Sequence, residues 1–176
     1  VIGIVVEGPT DKAAVETICR RLRIRCEVRF AKRPGGNEPK AINSLIRREF
    51  LPMGADKVIV LKDEKASPGV LETIRRIIRE TQDLIETELI VIKPEMEAWL
   101  LADPEAVERV LGHRPRIRNP EECENPVDEL DRTAMRCGRR YMKSPKLVHR
   151  IVEEMDLERA RERCSSLNLF LRKLTS

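Results

Sequence analysis

The chain has 176 residues, 41% hydrophobic, 36% charged and only 3% aromatic, with 34 basic against 30 acidic side chains and a formal net charge of +4. That length suits one domain, or one core with an appendage, and buries enough surface to fold without disulfide staples. Mixed charge on this scale argues for a solvated globule rather than disorder, and no apolar run approaches the roughly 20 residues of a membrane span. The five cysteines are scattered without a Cys-x-x-Cys pair and there are only two histidines, which argues against a zinc cluster and a disulfide framework. The cysteines are expected as reduced, mostly buried thiols of a cytoplasmic protein, Cys19 and Cys137 lying on apolar helical faces.

Residues 1–6 form a continuous apolar run, the mark of a strand buried on both faces rather than of a signal peptide. A Gly-Pro-Thr turn leads into a helix over 11–23, with Val15, Ile18, Cys19 and Leu22 on one face and Thr10 as its N-cap. A second strand is expected at 25–31, then a loop through Lys32, Arg33 and two glycines, then a helix over 39–50. A third strand at 57–61 ends in Asp63-Glu64-Lys65. A helix follows over 70–80, and a fourth strand at 88–92 closes on Lys93-Pro94. This alternation predicts an α/β fold, a mainly parallel four-stranded sheet flanked by helices with right-handed crossovers. Helices alone follow, at 96–101, 104–111, 127–141, 145–155 and 166–174. The organisation expected is an α/β core over 1–111 and a helical C-terminal extension over 112–176, joined by a Pro- and Arg-rich loop.

Parallel sheets place ligands beyond the carboxyl ends of their strands. Those ends carry Glu7, then Asp63 and Glu64, then Glu95 and Glu97, while Asp11 falls in the first turn of the first helix and Gly8 makes the reversal between strand and helix. A helix-start carboxylate is favoured by the macrodipole, which accounts for Asp11 but not for Glu7. Carboxylates gathered at one rim repel unless a divalent cation sits among them, and oxygen-only ligands point to Mg²⁺ or Mn²⁺.

The pattern Glu7-Gly8-Pro9-Thr10-Asp11 after a buried first strand, with an acidic motif after the third, resembles the Toprim domain of topoisomerases, primases and OLD-type nucleases. The segment from Glu95 to Glu105, containing Glu97-Ala98-Trp99-Leu100-Leu101-Ala102-Asp103, extends the likeness to small stand-alone OLD-like Toprim proteins. So do Tyr141-Met142-Lys143 and the closing Ser165-Ser166-Leu167-Asn168-Leu169-Phe170. The resemblance implies a Toprim-like core in which Glu7 moves a proton and touches the metal, Asp63 opens the metal-holding pair, and Asp11 is the additional OLD-like acid. Glu97 takes the place of the family's Glu before Ala-Trp-Leu and is a further metal-ligand candidate. The second acid of the pair should stand at residue 65, where this chain has Lys65, so either Glu64 substitutes for the missing ligand or the site holds one metal or none. Trp99 is expected to pack in a core.

From Arg132 to Arg150 there are seven Lys or Arg residues and no carboxylate. On one continuous helix, Arg132, Arg136, Arg139, Arg140 and Lys143 would share a face opposite Leu130, Ala134, Cys137 and Tyr141. A stripe of five cations suits a nucleic-acid backbone, with the loop of Arg29, Lys32 and Arg33 extending it, and the scarcity of aromatics argues against base stacking. The expectation is therefore an Mg²⁺-dependent nuclease or related phosphoryl-transfer protein acting on DNA or RNA. The alternative is a catalytically degenerate module that binds nucleic acid or a separate ATPase protein, since no Walker motif is present. No membrane association is expected, and paired sheet edges would make a homodimer.

Overall fold

The computed structural model describes residues 1–31 and 38–176. It divides into two compact units, Val1–Val91 and Ile92–Ser176. The boundary expected at 111/112 falls inside the second unit, and the loop read at 32–37, with Lys32 and Arg33, lies outside the described residues.

The first unit runs β1 (Ile2–Val6), α1 (Pro9–Arg21), β2 (Cys26–Phe30), α2 (Glu38–Leu45) with a π-helical turn at Ile46–Phe50, β3 (Lys57–Asp63), α3 (Pro68–Thr81) and β4 (Thr87–Ile92). The four strands form a parallel sheet in the order β2-β1-β3-β4. Ile4 pairs with Val28 on one side and with Ile59 on the other. All five residues of β1 are buried, as an apolar run in the middle of a doubly covered sheet must be. Val5, Val58 and Val60 meet Ile42, Leu45, Ile46, Phe50 and Ile74 in one core cluster, which places α2, its π turn and α3 on that face. Ile4 alternates to the other face.

The start of α1 differs from the expected one. Pro9 opens the helix at N1, where its missing N–H costs nothing, so Gly8 rather than Thr10 is the cap. Gly8 has φ −155° and ψ −173°, extended backbone that any residue adopts, and nothing lies within 4 Å of where a Cβ would sit. The reversal after β1 thus does not depend on glycine. Gly3 does depend on it: a Cβ there would lie 2.6 Å from the ring of the fully buried Phe50.

Cysteine chemistry also departs from expectation. Cys19 and Cys26 are joined in a disulfide across the α1–β2 connection, while Cys123, Cys137 and Cys164 are free.

The second unit contains α4 (Glu97–Leu101), α5 (Pro104–Leu111), a 3₁₀ turn at Pro120–Glu122, α6 (Pro126–Met135), α7 (Pro145–Glu154), α8 (Leu157–Arg163) and α9 (Ser165–Thr175). α8 is absent from the sequence reading, because in Leu-Glu-Arg-Ala-Arg-Glu-Arg only Leu157 and Ala160 are buried and carry no visible period. Asp156 starts it by accepting a hydrogen bond from the Arg159 N–H at 3.1 Å. No helix among the described residues is long and apolar enough to cross a membrane.

These contrasts between two glycines give a direct test. Gly3→Ala forces the Phe50 ring out of place and is expected to cost about 1–3 kcal/mol, the usual range for overpacking. Gly8→Ala should leave the unfolding free energy from urea titration within about 0.5 kcal/mol of the parent, as surface changes usually do.

Candidate functional site

The chain starts at β1, moves outward to β2, then crosses back to β3 and β4, so the sheet's topological switch point lies between β1 and β3. The crevice beyond the carboxyl ends of those two strands is where open α/β sheets bind ligands. The register Val5↔Val60, carried two residues further, sets Glu7 level with Lys62. β3 runs two residues beyond the expected end at Leu61, and this takes Lys62 into the sheet.

Lys62 is 5% exposed, and its ammonium hydrogen-bonds Glu7 and, at 2.8 Å to each oxygen, Glu38. The two carboxylates are about one-fifth open to solvent. Burial pulls the Lys62 pKa down, but hydrogen bonds to Glu38 and Glu7 and their negative charges outweigh it, and the net shift is upward. Glu38 comes from the first turn of α2, where a carboxylate is also favoured by the helix dipole. Sequence reasoning missed both Lys62 and Glu38. A lysine continuing an apolar parallel strand was a legible signal, whereas Glu38 has none, since nothing in its own segment marks it as a partner of β1 or β3.

The other predicted acids fall as follows. Asp63 ends β3 and is half-buried, its backbone carbonyl accepting from the Ala66 N–H at 3.0 Å. Glu64 and Lys65 occupy the exposed turn that follows. Asp11 accepts a hydrogen bond from the Gly8 N–H at 3.1 Å, closing the first turn of α1. In the second unit, Glu97 is 1% exposed and accepts from the Tyr141 hydroxyl at 3.3 Å, deep among apolar side chains. Glu95 is buried rather than solvated and accepts from the Val127 N–H at 3.4 Å, at the start of α6.

Among the described residues, no group of three or more His, Cys, Asp and Glu side chains gathers as a metal site. Around Glu7 the positive charge is already supplied. A divalent ion would have to displace the Lys62 ammonium from Glu7 and Glu38, both of which already accept from it. The donor set as placed does not fit Mg²⁺ or Mn²⁺.

The basic segment is rearranged too. α6 stops at Met135 instead of reaching Tyr141, because Gly138 takes φ +66° and Met142 and Lys143 take φ +49° and +46°. The five cations therefore do not share one helical face. Arg132 pairs with Glu129 at 3.5 Å, and Arg139 donates to the Val110 carbonyl at 2.8 Å. Arg140 grips Asp131 through two hydrogen bonds of 3.1 and 3.0 Å. Asp131 also accepts from the Tyr141 N–H at 3.1 Å; that bond, and then Arg140, hold its carboxyl below the usual range. Arg136 and Lys143 are exposed, as are Lys146 and Arg150 on α7. Leu130, Ala134 and Tyr141 are buried as expected, but Cys137 is exposed, since the chain has left the helix before reaching it.

Trp99, with Nε1 donating to Ser166 Oγ at 2.9 Å, stacks on Phe170 at 5.3 Å between centroids. Asp103 caps α5 through the Ala106 N–H and accepts from the Asp156 N–H at 2.8 Å. The Glu97–Asp103 segment, Tyr141 and the Ser165–Phe170 segment thus meet in the core of the second unit, and packing is what they do there.

Fold and site together define an open, doubly wound α/β protein with an ionic cluster at its strand-end crevice. The chain belongs to the DUF4276 family, a domain of unknown function whose model matches residues 6–175. No curated protein and no solved structure matches it.

The Lys62 cluster has a definite pH signature. A lysine whose folded pKa is raised contributes stability that is fully present below the unfolded value of 10.5 and is lost as pH rises through the folded one. The unfolding free energy of wild type relative to Lys62→Met should therefore be flat from pH 7 to about 10 and decline only above it. Urea titrations across that range check this; a decline centred near neutrality would contradict it.

Proposed function

We propose that this chain is a Toprim-like module that engages the phosphate backbone of nucleic acid, as a binding module rather than a metal-dependent nuclease. The observation that carries the reading is the placement of Glu7 and Asp63 at the ends of the two strands that flank the switch point. That is where the Toprim resemblance expects its acids. The ammonium of Lys62 between Glu7 and Glu38 supports binding over hydrolysis, because it already occupies Glu7, the carboxylate that metal-assisted cleavage would need. Phosphate contact falls to the exposed cations of the segment after α6, with Arg136 and Lys143 foremost. Tyr141, buried and tied to Glu97, anchors the loop that carries them, so they are presented on a fixed backbone. Contact of this kind is electrostatic and reads little base sequence. A separate ATPase chain is the partner that the OLD-like resemblance suggests.

The second reading, an Mg²⁺-dependent nuclease or phosphoryl-transfer enzyme with Glu7 and Asp63 at its centre, is favoured by that same juxtaposition. It requires Lys62 to release Glu7.

Fluorescence anisotropy with labelled single- and double-stranded DNA and RNA tests the first reading. On duplex DNA each phosphate contact contributes a slope of about 0.9 in log K against log salt, so there Arg136→Ala/Lys143→Ala should flatten the dependence by nearly 2 and weaken binding in EDTA as much as in Mg²⁺. Absence of binding to every probe at low salt overturns it. Plasmid nicking that needs Mg²⁺ or Mn²⁺ and disappears in Glu7→Gln and Asp63→Asn would establish the second reading instead.

A further inference from the structure

We infer that the Lys62 ammonium is the resident cation of the strand-end site, standing where a divalent ion would be held and making the charge balance of the crevice independent of metal. An ammonium has three N–H donors. Here one is directed to Glu7 and one is shared between the two oxygens of Glu38. Both carboxylate partners come from the chain itself, so the charge is answered internally. Its strand position leaves it 5% exposed, so the charge is held by the sheet itself and not by a flexible surface arm.

The chemistry matches that of a metal site in outline but not in ligand demand. Mg²⁺ asks for near-octahedral oxygen ligands at 2.0–2.1 Å and Ca²⁺ for six to eight oxygens. An ammonium asks for fewer oxygens, and here two carboxylates meet it. Two carboxylates against one ammonium leave a net charge of −1 at the cluster, where a divalent ion would leave it neutral. These three side chains thus carry the same charge with or without metal in solution, and do not themselves attract an anionic ligand. This deepens the binding-module reading and rests on it for its biological meaning, yet its test contains no nucleic acid, so the two can fail separately.

Mn²⁺ titration followed by electron paramagnetic resonance of the free ion, with calorimetry alongside, decides the matter on the full chain. Wild type and Lys62→Arg should take up no Mn²⁺ at millimolar concentration. Lys62→Met should gain at least about tenfold in Mn²⁺ affinity, because the repelling charge is gone, and Glu7→Gln in that background should abolish the gain. Because Lys62→Met can fail to fold, a second readout uses wild type alone: the ¹⁵N resonance of the Lys62 ammonium should be unmoved by Mg²⁺. A single Mn²⁺ site in wild type that is lost in Glu7→Gln, a folded Lys62→Met with no gain, or a Lys62 resonance displaced by Mg²⁺ would each overturn the inference.

Discussion

A parallel sheet points the carboxyl ends of all its strands one way, and whatever side chains follow β1 and β3 must share the crevice between them. In this protein they include acids, and the structure depends on how their charge is answered. The answer comes from within the sheet. Extending β3 as far as Asp63 turns Lys62 inward at the level of Glu7, and starting α2 at Glu38 brings the second carboxylate. Buried pairs of this kind are poor sources of stability, since desolvation offsets attraction, but they are costly to break by removing one partner. The cluster therefore ties the ends of β1 and β3 to the first turn of α2 more than it serves as a reservoir of free energy.

In the second unit the polar residues that stand out in the sequence serve packing. Trp99 and Tyr141 each carry one polar atom into an apolar interior, and each finds a partner there, Ser166 and Glu97 respectively. Large aromatic side chains with a satisfied polar tip are effective at joining helices that are distant in the chain. This is how α4, the segment before α7 and α9 come to share one core.

How much was legible follows from which forces are local. The four strands and three helices of the first unit announce themselves by apolar runs and 3.6-residue periods, and both the α/β class and the placement of Glu7 and Asp63 at strand ends followed from them. What was not legible arises from pairings across distance or from single backbone angles. Lys62 reads as a strand terminator until β1 supplies its partner. Asp11 reads equally as ligand or cap, and the Gly8 N–H takes it at least for the cap. The long basic helix failed for a subtler reason: periodicity continues past Met135 in the sequence, whereas the left-handed angles at Gly138, Met142 and Lys143 end it in space. Charge counting along a chain likewise overstates what faces outward when Asp131 holds Arg140 and the Val110 carbonyl holds Arg139.

The early end of α6 has a practical side. It leaves Cys137 on the surface at the root of the basic loop, whereas Cys164 is buried, with burial pushing its thiol up to about 12. A thiolate is the reactive form, so at neutral pH Cys164 is chemically silent. Burial likewise raises the half-covered Cys123. A maleimide dye or nitroxide will therefore attach at Cys137 first, putting a spectroscopic reporter beside Arg136 without any engineering of the chain.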